Sequence, residues 1–190
     1  ALAEKDPQAA LTALCALARQ GDASQQGKLI AALNSLNWAT LTPAQQAELL
    51  RVYQLAFIRM GKPSEAIAAS VEKILDPVYP APMASLNREL CTLLVYLESR
   101  NAAVKTLALM SQSTDQTKHN WSNDLLNRNA GYARAFAATA ASSPQRDQIH
   151  YAKELRNLKN HWTDKQRLEY FRWYRKAESF KGGNSFAGFL

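Results

Sequence analysis

Leucine and alanine recur at steps of three and four along most of this chain, the spacing that gathers apolar side chains on one face of a helix. Asp6-Pro7 has the form of a helix start: a side-chain oxygen to cap the first turn, then proline where its missing N–H costs nothing. Leu11, Leu14 and Leu17 follow at three-residue steps, and Gly21 closes the helix. The pattern then predicts a helix over 23–36, with Leu29, Ile30, Leu33 and Leu36 inward. Thr42-Pro43 repeats the opening for a helix burying Leu49, Leu50, Tyr53, Phe57 and Met60 before Gly61. Ser64-Glu65 begins another, expected to stop at Asp76-Pro77 because a residue before proline is pushed out of the helical region.

Val78 to Ala84, with Pro80 and Pro82, reads as a stiff extended connection and the best internal boundary. Beyond it the periodicity predicts helices over 86–100 and 102–111, meeting at Asn101. Shorter helices follow near 122–127 and 132–141. Long helices are expected from Ser143-Pro144 to about 160, and from Thr163-Asp164 to about 180. The division expected is an N-terminal helical layer over 1–77, the connection over 78–84, and a C-terminal helical layer over 85–190, all within one continuous superhelical domain. No segment reads as a strand. The fold class is therefore all-α: a HEAT- or armadillo-like α-solenoid of about nine to eleven helices, at about 35 to 45 residues per helical pair. The last apolar run, through Phe186, Phe189 and Leu190, starts a helix that is not completed, so the chain is expected to be a piece of something larger.

Composition narrows the picture modestly. Seven Gly and seven Pro in 190 residues suit helices packed on helices. No apolar run approaches the roughly 20 residues that span a bilayer, so no membrane span is expected. The net charge of +7 is uneven. From Pro144 onward there are ten Lys or Arg against five Asp or Glu, and before it thirteen against eleven. A basic terminal layer can meet an acidic partner, nucleic acid or an anionic membrane, or be the solvated rim of ordinary helices. Cys15 and Cys91 sit inside apolar helical patterns, away from any CxxC or CxxCH motif, and read as buried free thiols.

Candidate chemistry is sparse. His119, His150 and His161 never pair at the i, i+4 spacing of a helical metal grip, so no metal site is expected. Tyr170-Phe171-Arg172-Trp173-Tyr174 reads as a sandwiched core helix whose polar tips reach the surface, or as a platform for bases with Arg172 and Arg175 on phosphates. Gly182-Gly183-Asn184-Ser185 reads as a chain reversal, and no Lys-Ser/Thr completes a phosphate loop. Arg88 and Glu89 point to different faces, so each is expected to find a partner on a neighbouring helix. Asp124, Arg128, Asn129 and Tyr132, beside Trp121, read as structural hydrogen bonding between repeats. No Ser/His/Asp set, carboxylate pair or Gly-rich nucleotide loop emerges, so the chain is expected to be no enzyme and to hold no cofactor.

Several segments nonetheless carry a resemblance: Leu86-Asn87-Arg88-Glu89-Leu90 with Leu93-Leu94-Val95-Tyr96-Leu97, then Leu126-Asn127-Arg128-Asn129-Ala130-Gly131-Tyr132, and Gln148-Ile149-His150-Tyr151-Ala152 with Leu155-Arg156. Trp162-Thr163, Tyr170-Phe171 with Trp173, and Gly182-Gly183-Asn184-Ser185-Phe186 complete the set. In order and spacing they resemble the HEAT-like helical region of large secreted bacterial proteins that combine a sugar-dehydrogenase-like β-propeller, helical repeats and a c-type cytochrome (CxxCH haem-binding) domain. The resemblance implies a periplasmic or extracellular scaffold between redox domains, its partners being other domains of the parent chain or another protein. It carries over no catalytic residue. A second reading is a nucleic-acid-binding HEAT-like module, for example a DNA glycosylase, with Trp121, Asp124, Arg156 and Trp162 as candidates. A third is a peptide-binding repeat scaffold with an apolar groove. The candidate interaction surface comprises Trp121, Arg156, His161, Trp162, Arg172 and Arg175.

Overall fold

The computed structural model describes residues 4–112 and 145–180, together with Leu2 and Gly131. Those residues form eight α-helices and no strand. They are α1 (Pro7–Gln20), α2 (Gln26–Asn34), α3 (Pro43–Met60) and α4 (Glu65–Leu75), then α5 (Ala84–Tyr96), α6 (Ala102–Gln112), α7 (Arg146–Leu155) and α8 (Asp164–Ala177). The all-α class holds; the count among the described residues is eight where nine to eleven were expected. The helices expected near 122–127 and 132–141, and the Gly-Gly turn at 182–183, lie outside the described residues. None of the described helices is long and apolar enough to cross a membrane.

The local starts follow the capping chemistry. Asp6 accepts the Ala9 N–H at 2.8 Å, Ser64 accepts that of Ile67, and Thr42 with Gln45 closes a reciprocal capping box. Thr163 with Gln166 does the same at α8. The ends depart further from expectation. The segment 23–36 splits into a 3-10 turn, Ala23–Gln25, and α2, because Asp22 and Gln25 form a capping box of their own. Gly21 does close α1, but with φ −77° it is extended and needs no left-handed freedom. Its glycine is required by crowding instead: a Cβ would lie 2.4 Å from the Gln25 Oε1 and 2.6 Å from the Leu17 carbonyl oxygen. Asp76 keeps helical angles despite Pro77, since Lys105 and Asn101 both bind its carboxylate at 3.0 Å. The chain then continues through a 3-10 turn, Asp76–Val78.

The connection over 78–84 is folded into the protein. Tyr79 is buried with its hydroxyl 2.8 Å from the Thr106 Oγ1, and the Asn87 side chain binds both the N–H and the carbonyl of Ala81. The Tyr79-Pro80 peptide is cis. The helix expected over 86–100 stops at Tyr96, where Glu98 turns the chain with φ 56° and the Ser99 N–H reaches the Leu94 carbonyl. Likewise α7 ends at Leu155, five residues early, in a tight turn.

Packing is between near neighbours over α1 to α6, whereas α7 and α8 pack on α5 and α6 from much earlier in the sequence. The odd-numbered helices pack in succession, α1 on α3, α3 on α5 and α5 on α7; α2 lies against α1, α3 and α4, and α6 against α5, α7 and α8. One apolar cluster runs from Leu11 to Ala177. It includes Leu11, Leu14, Leu29, Ile30, Leu33, Leu49 and Leu50 as expected, each contributing about 1.5–3 kcal/mol, whereas Leu17 and Leu36, also expected inward, are half-buried against it. Arg88 and Glu89 do find separate neighbours. Arg88 pairs with Asp147 on α7, while Glu89 accepts the Gln54 amide on α3 at 2.8 Å and lies 3.7 Å from Arg51.

Candidate functional site

The bend between α7 and α8 creates a cleft. After Leu155 the helix tightens, with the Asn157 N–H on the Glu154 carbonyl and the Leu158 N–H on that of Leu155. His161 then takes a left-handed conformation, φ 65°. The Trp162 indole N–H donates to the Leu158 carbonyl at 2.9 Å, fixing the ring over the turn. A distant carboxylate completes the fastening: Glu98 accepts the backbone N–H groups of Lys159 and Asn160, at 3.1 and 2.9 Å.

The resulting cleft has a volume of about 540 Å³. Leu155 and Leu158 form its buried floor. Its wall is aromatic: Trp162, Tyr170, Phe171 and Tyr174. Tyr170 is the hub, with ring centroids 5.4 Å from Trp162, 5.5 Å from Phe171 and 5.1 Å from Tyr174, each pair inclined by 49° or more. Such tilted and edge-on contacts are the preferred geometry of packed aromatics. The Tyr170 hydroxyl donates to the Ala152 carbonyl at 2.8 Å and lies 3.0 Å from that of Tyr174. Burial pushes its acidity well down, so it stays a neutral donor. Three cations, Arg156, Lys159 and Arg167, stand at the rim. No Asp, Glu, His, Ser or Cys is among the described lining residues. The chemistry available there is apolar contact plus positive charge.

Of the candidate surface, Arg156 and Trp162 come together in this cleft. His161 is exposed on the same turn without lining it, and Arg172 and Arg175 project from exposed positions of α8 outside it. Trp121 and Asp124 lie outside the described residues. The aromatic run of α8 divides in two: Tyr170 and Trp173 are buried, whereas Phe171 is 61% exposed. Their polar tips turn inward rather than to the surface, since the Trp173 indole N–H donates to the Gln148 Oε1 at 3.0 Å. Lys159, Arg167 and the two leucines were not singled out from sequence. The i, i+3, i+4, i+7 spacing of Arg167, Tyr170, Phe171 and Tyr174 was the signal available for that face.

Two other places were candidates. Behind the cleft, Arg88, Asp147 and His150 form a half-buried polar cluster in which the His150 Nε2 lies 3.1 Å from the Arg88 carbonyl oxygen. A carbonyl only accepts, so that nitrogen carries hydrogen, and the cluster joins α5 to α7. An apolar groove of about 270 Å³ runs between α3 and α5, with Phe57 stacked on Tyr96 at 5.6 Å. Among the described residues no group of three His, Cys, Asp or Glu could hold a metal ion. Cys91 is buried and Cys15 half-buried, both free, and burial pushes the Cys91 thiol up to about 12.

Compared with protein families, curated proteins and solved structures, the chain matches none.

Proposed function

We propose that this chain is a non-catalytic helical-repeat scaffold, a stretch of α-solenoid that holds a partner or neighbouring domains in place, from a larger extracytoplasmic redox protein. The observation that carries the scaffold reading is the packing order of the described helices: α1 on α3, α3 on α5 and α5 on α7 in one row, with α2 on α4 and α6 on α8 beside it, as in arrays of stacked helical pairs. The sequence resemblance supplies the redox setting, in which the dehydrogenase-like and CxxCH domains are further parts of the parent chain. In that setting a cleft offering apolar and cationic contacts, with no carboxylate, imidazole, thiol or serine among its described lining, suits docking.

Native-state hydrogen exchange on this chain tests the stacked reading. Opening free energies that step along the sequence in contiguous helical pairs are expected. A single global opening shared by α1 to α8 would count against it. The redox setting has its own check: the full-length parent chain should show the visible spectrum of a c-type haem, and a colourless parent would remove that part. The nucleic-acid reading is met by titration with single- and double-stranded DNA at increasing salt, where no salt-steep binding is expected.

A further inference from the structure

Resting on the scaffold reading and deepening it, we propose that the α7–α8 cleft binds an acidic peptide segment that inserts one aromatic or branched aliphatic side chain between Trp162 and Phe171. Charge complementarity comes first. Arg156, Lys159 and Arg167 line the cleft, and no described lining residue opposes them with a carboxylate. Among the described residues neither Lys159 nor Arg167 makes an ion pair. The nearby carboxylate of Glu98 is engaged by two backbone N–H groups, which directs it at the turn. Complementarity of this kind speeds encounter and selects the sign of the partner.

The second ground is the exposed apolar surface beside those charges. Phe171 is 61% exposed and Leu168 is 52% exposed on the adjacent face of α8, in a helix otherwise dense in polar residues. An exposed aromatic flanked by cations and backed by a leucine floor has the composition of an interface hot spot. About 540 Å³ accommodates one large side chain with its flanking backbone.

The same geometry favours peptide over single-stranded nucleic acid. Bases stack in succession on open, roughly parallel ring faces. Here Trp162, Phe171 and Tyr174 are inclined by 49°, 60° and 77° to Tyr170, which occupies the centre of the group. The cluster offers a socket for one side chain rather than a run of stacking faces.

The test is fluorescence anisotropy on the full chain with a labelled peptide of Glu and Asp around a central Phe. Controls are the same peptide with Gly at the centre, its Lys counterpart, and an oligothymidylate of equal negative charge. Saturable binding of the first peptide is expected, weakened by about tenfold or more in Lys159→Glu, Arg167→Glu and Phe171→Ala. Lys28→Ala, exposed on α2 and outside the cleft, should leave it unchanged. The changed side chains are all exposed, so circular dichroism should be unaltered and loss of binding reads as loss of contact. Absent binding, binding indifferent to the cleft variants, or equal competition by the oligothymidylate would each overturn the proposal. The helical stacking read by hydrogen exchange would stand in all three cases, which separates failure of this site from failure of the scaffold.

Discussion

The first four helices and the last four are held by different means. Between α1 and α4 the buried contacts are aliphatic, led by Leu11, Leu14, Leu29, Leu33, Leu49 and Leu50. The hydrogen bonds joining these helices are between neutral groups at partly buried positions, as in Tyr53 to Asn34 at 2.6 Å and Asn34 to Ser70 at 3.1 Å. The charged exceptions are exposed: Gln8 to Glu48, and the Arg59 guanidinium to the Arg19 carbonyl. Between α5 and α8 an ion pair, Arg88–Asp147, sits mostly inside. Gln148 ties three helices together by donating to the Met110 carbonyl and accepting from Trp173. Leucine packing rewards burial wherever it occurs and tolerates small shifts of register. Amides serve both halves, Gln26 and Asn34 in the first and Gln148 in the second, but a buried ion pair is satisfied in one arrangement and costlier than they are in others. The second half is therefore the more narrowly specified, and it is the half that builds the cleft.

Substitutions can break that contrast. The largest effect is expected from Asp147→Ala, which strands Arg88 and should cost about 3–5 kcal/mol by urea unfolding. Replacing both partners, Arg88→Met with Asp147→Leu, should recover most of it while loosening the cleft, read as weaker amide protection at Lys159 and Asn160. Leu49→Ala should cost about 2–5 kcal/mol through a cavity and leave those amides as protected as before, relative to global stability. An equal loss of cleft protection in both variants would erase the distinction.

Alkaline pH gives a third probe. Burial pushes the Cys91 thiol from an ordinary value of 9.0 up to about 12, and it raises the Tyr53 and Tyr79 hydroxyls as well. Above pH 9.0 the unfolded chain releases protons that the folded chain keeps, so the folded state binds more of them and stability must fall as pH rises. Cys91→Ala should flatten the fall between about pH 9 and 11, by at most about 1.4 kcal/mol per pH unit. An unchanged slope would mean the thiol ionises alike in both states. The smallest effect belongs to Ser64→Ala: about 1 kcal/mol for the lost cap of α4, with the cleft untouched.

What the sequence disclosed divides along the same line. Helix starts were legible because Asp6, Thr42, Ser64 and Thr163 act within three or four residues of themselves. Inward leucines were legible because period alone places them. The ends of α5 and α7 were not, since Glu98 adopts a conformation usually left to glycine and is held by amides some sixty residues away. Asp76 defied the proline after it for a similar reason, its partners Asn101 and Lys105 lying just before and at the start of a later helix. The cleft was half visible. Arg156 and Trp162 stood out as isolated side chains, but a face shared with Arg167 and Phe171 exists only once the chain has bent at His161.

Glu98 has a consequence for anyone wishing to move this cleft to another protein. Helices α7 and α8 look like a transplantable hairpin with its own cap and its own aromatic cluster. Yet two amides of the bend are fastened by a carboxylate from the turn between α5 and α6. A graft that carried the hairpin alone would take the lock without its bolt, so the smallest portable unit runs from α5 through α8.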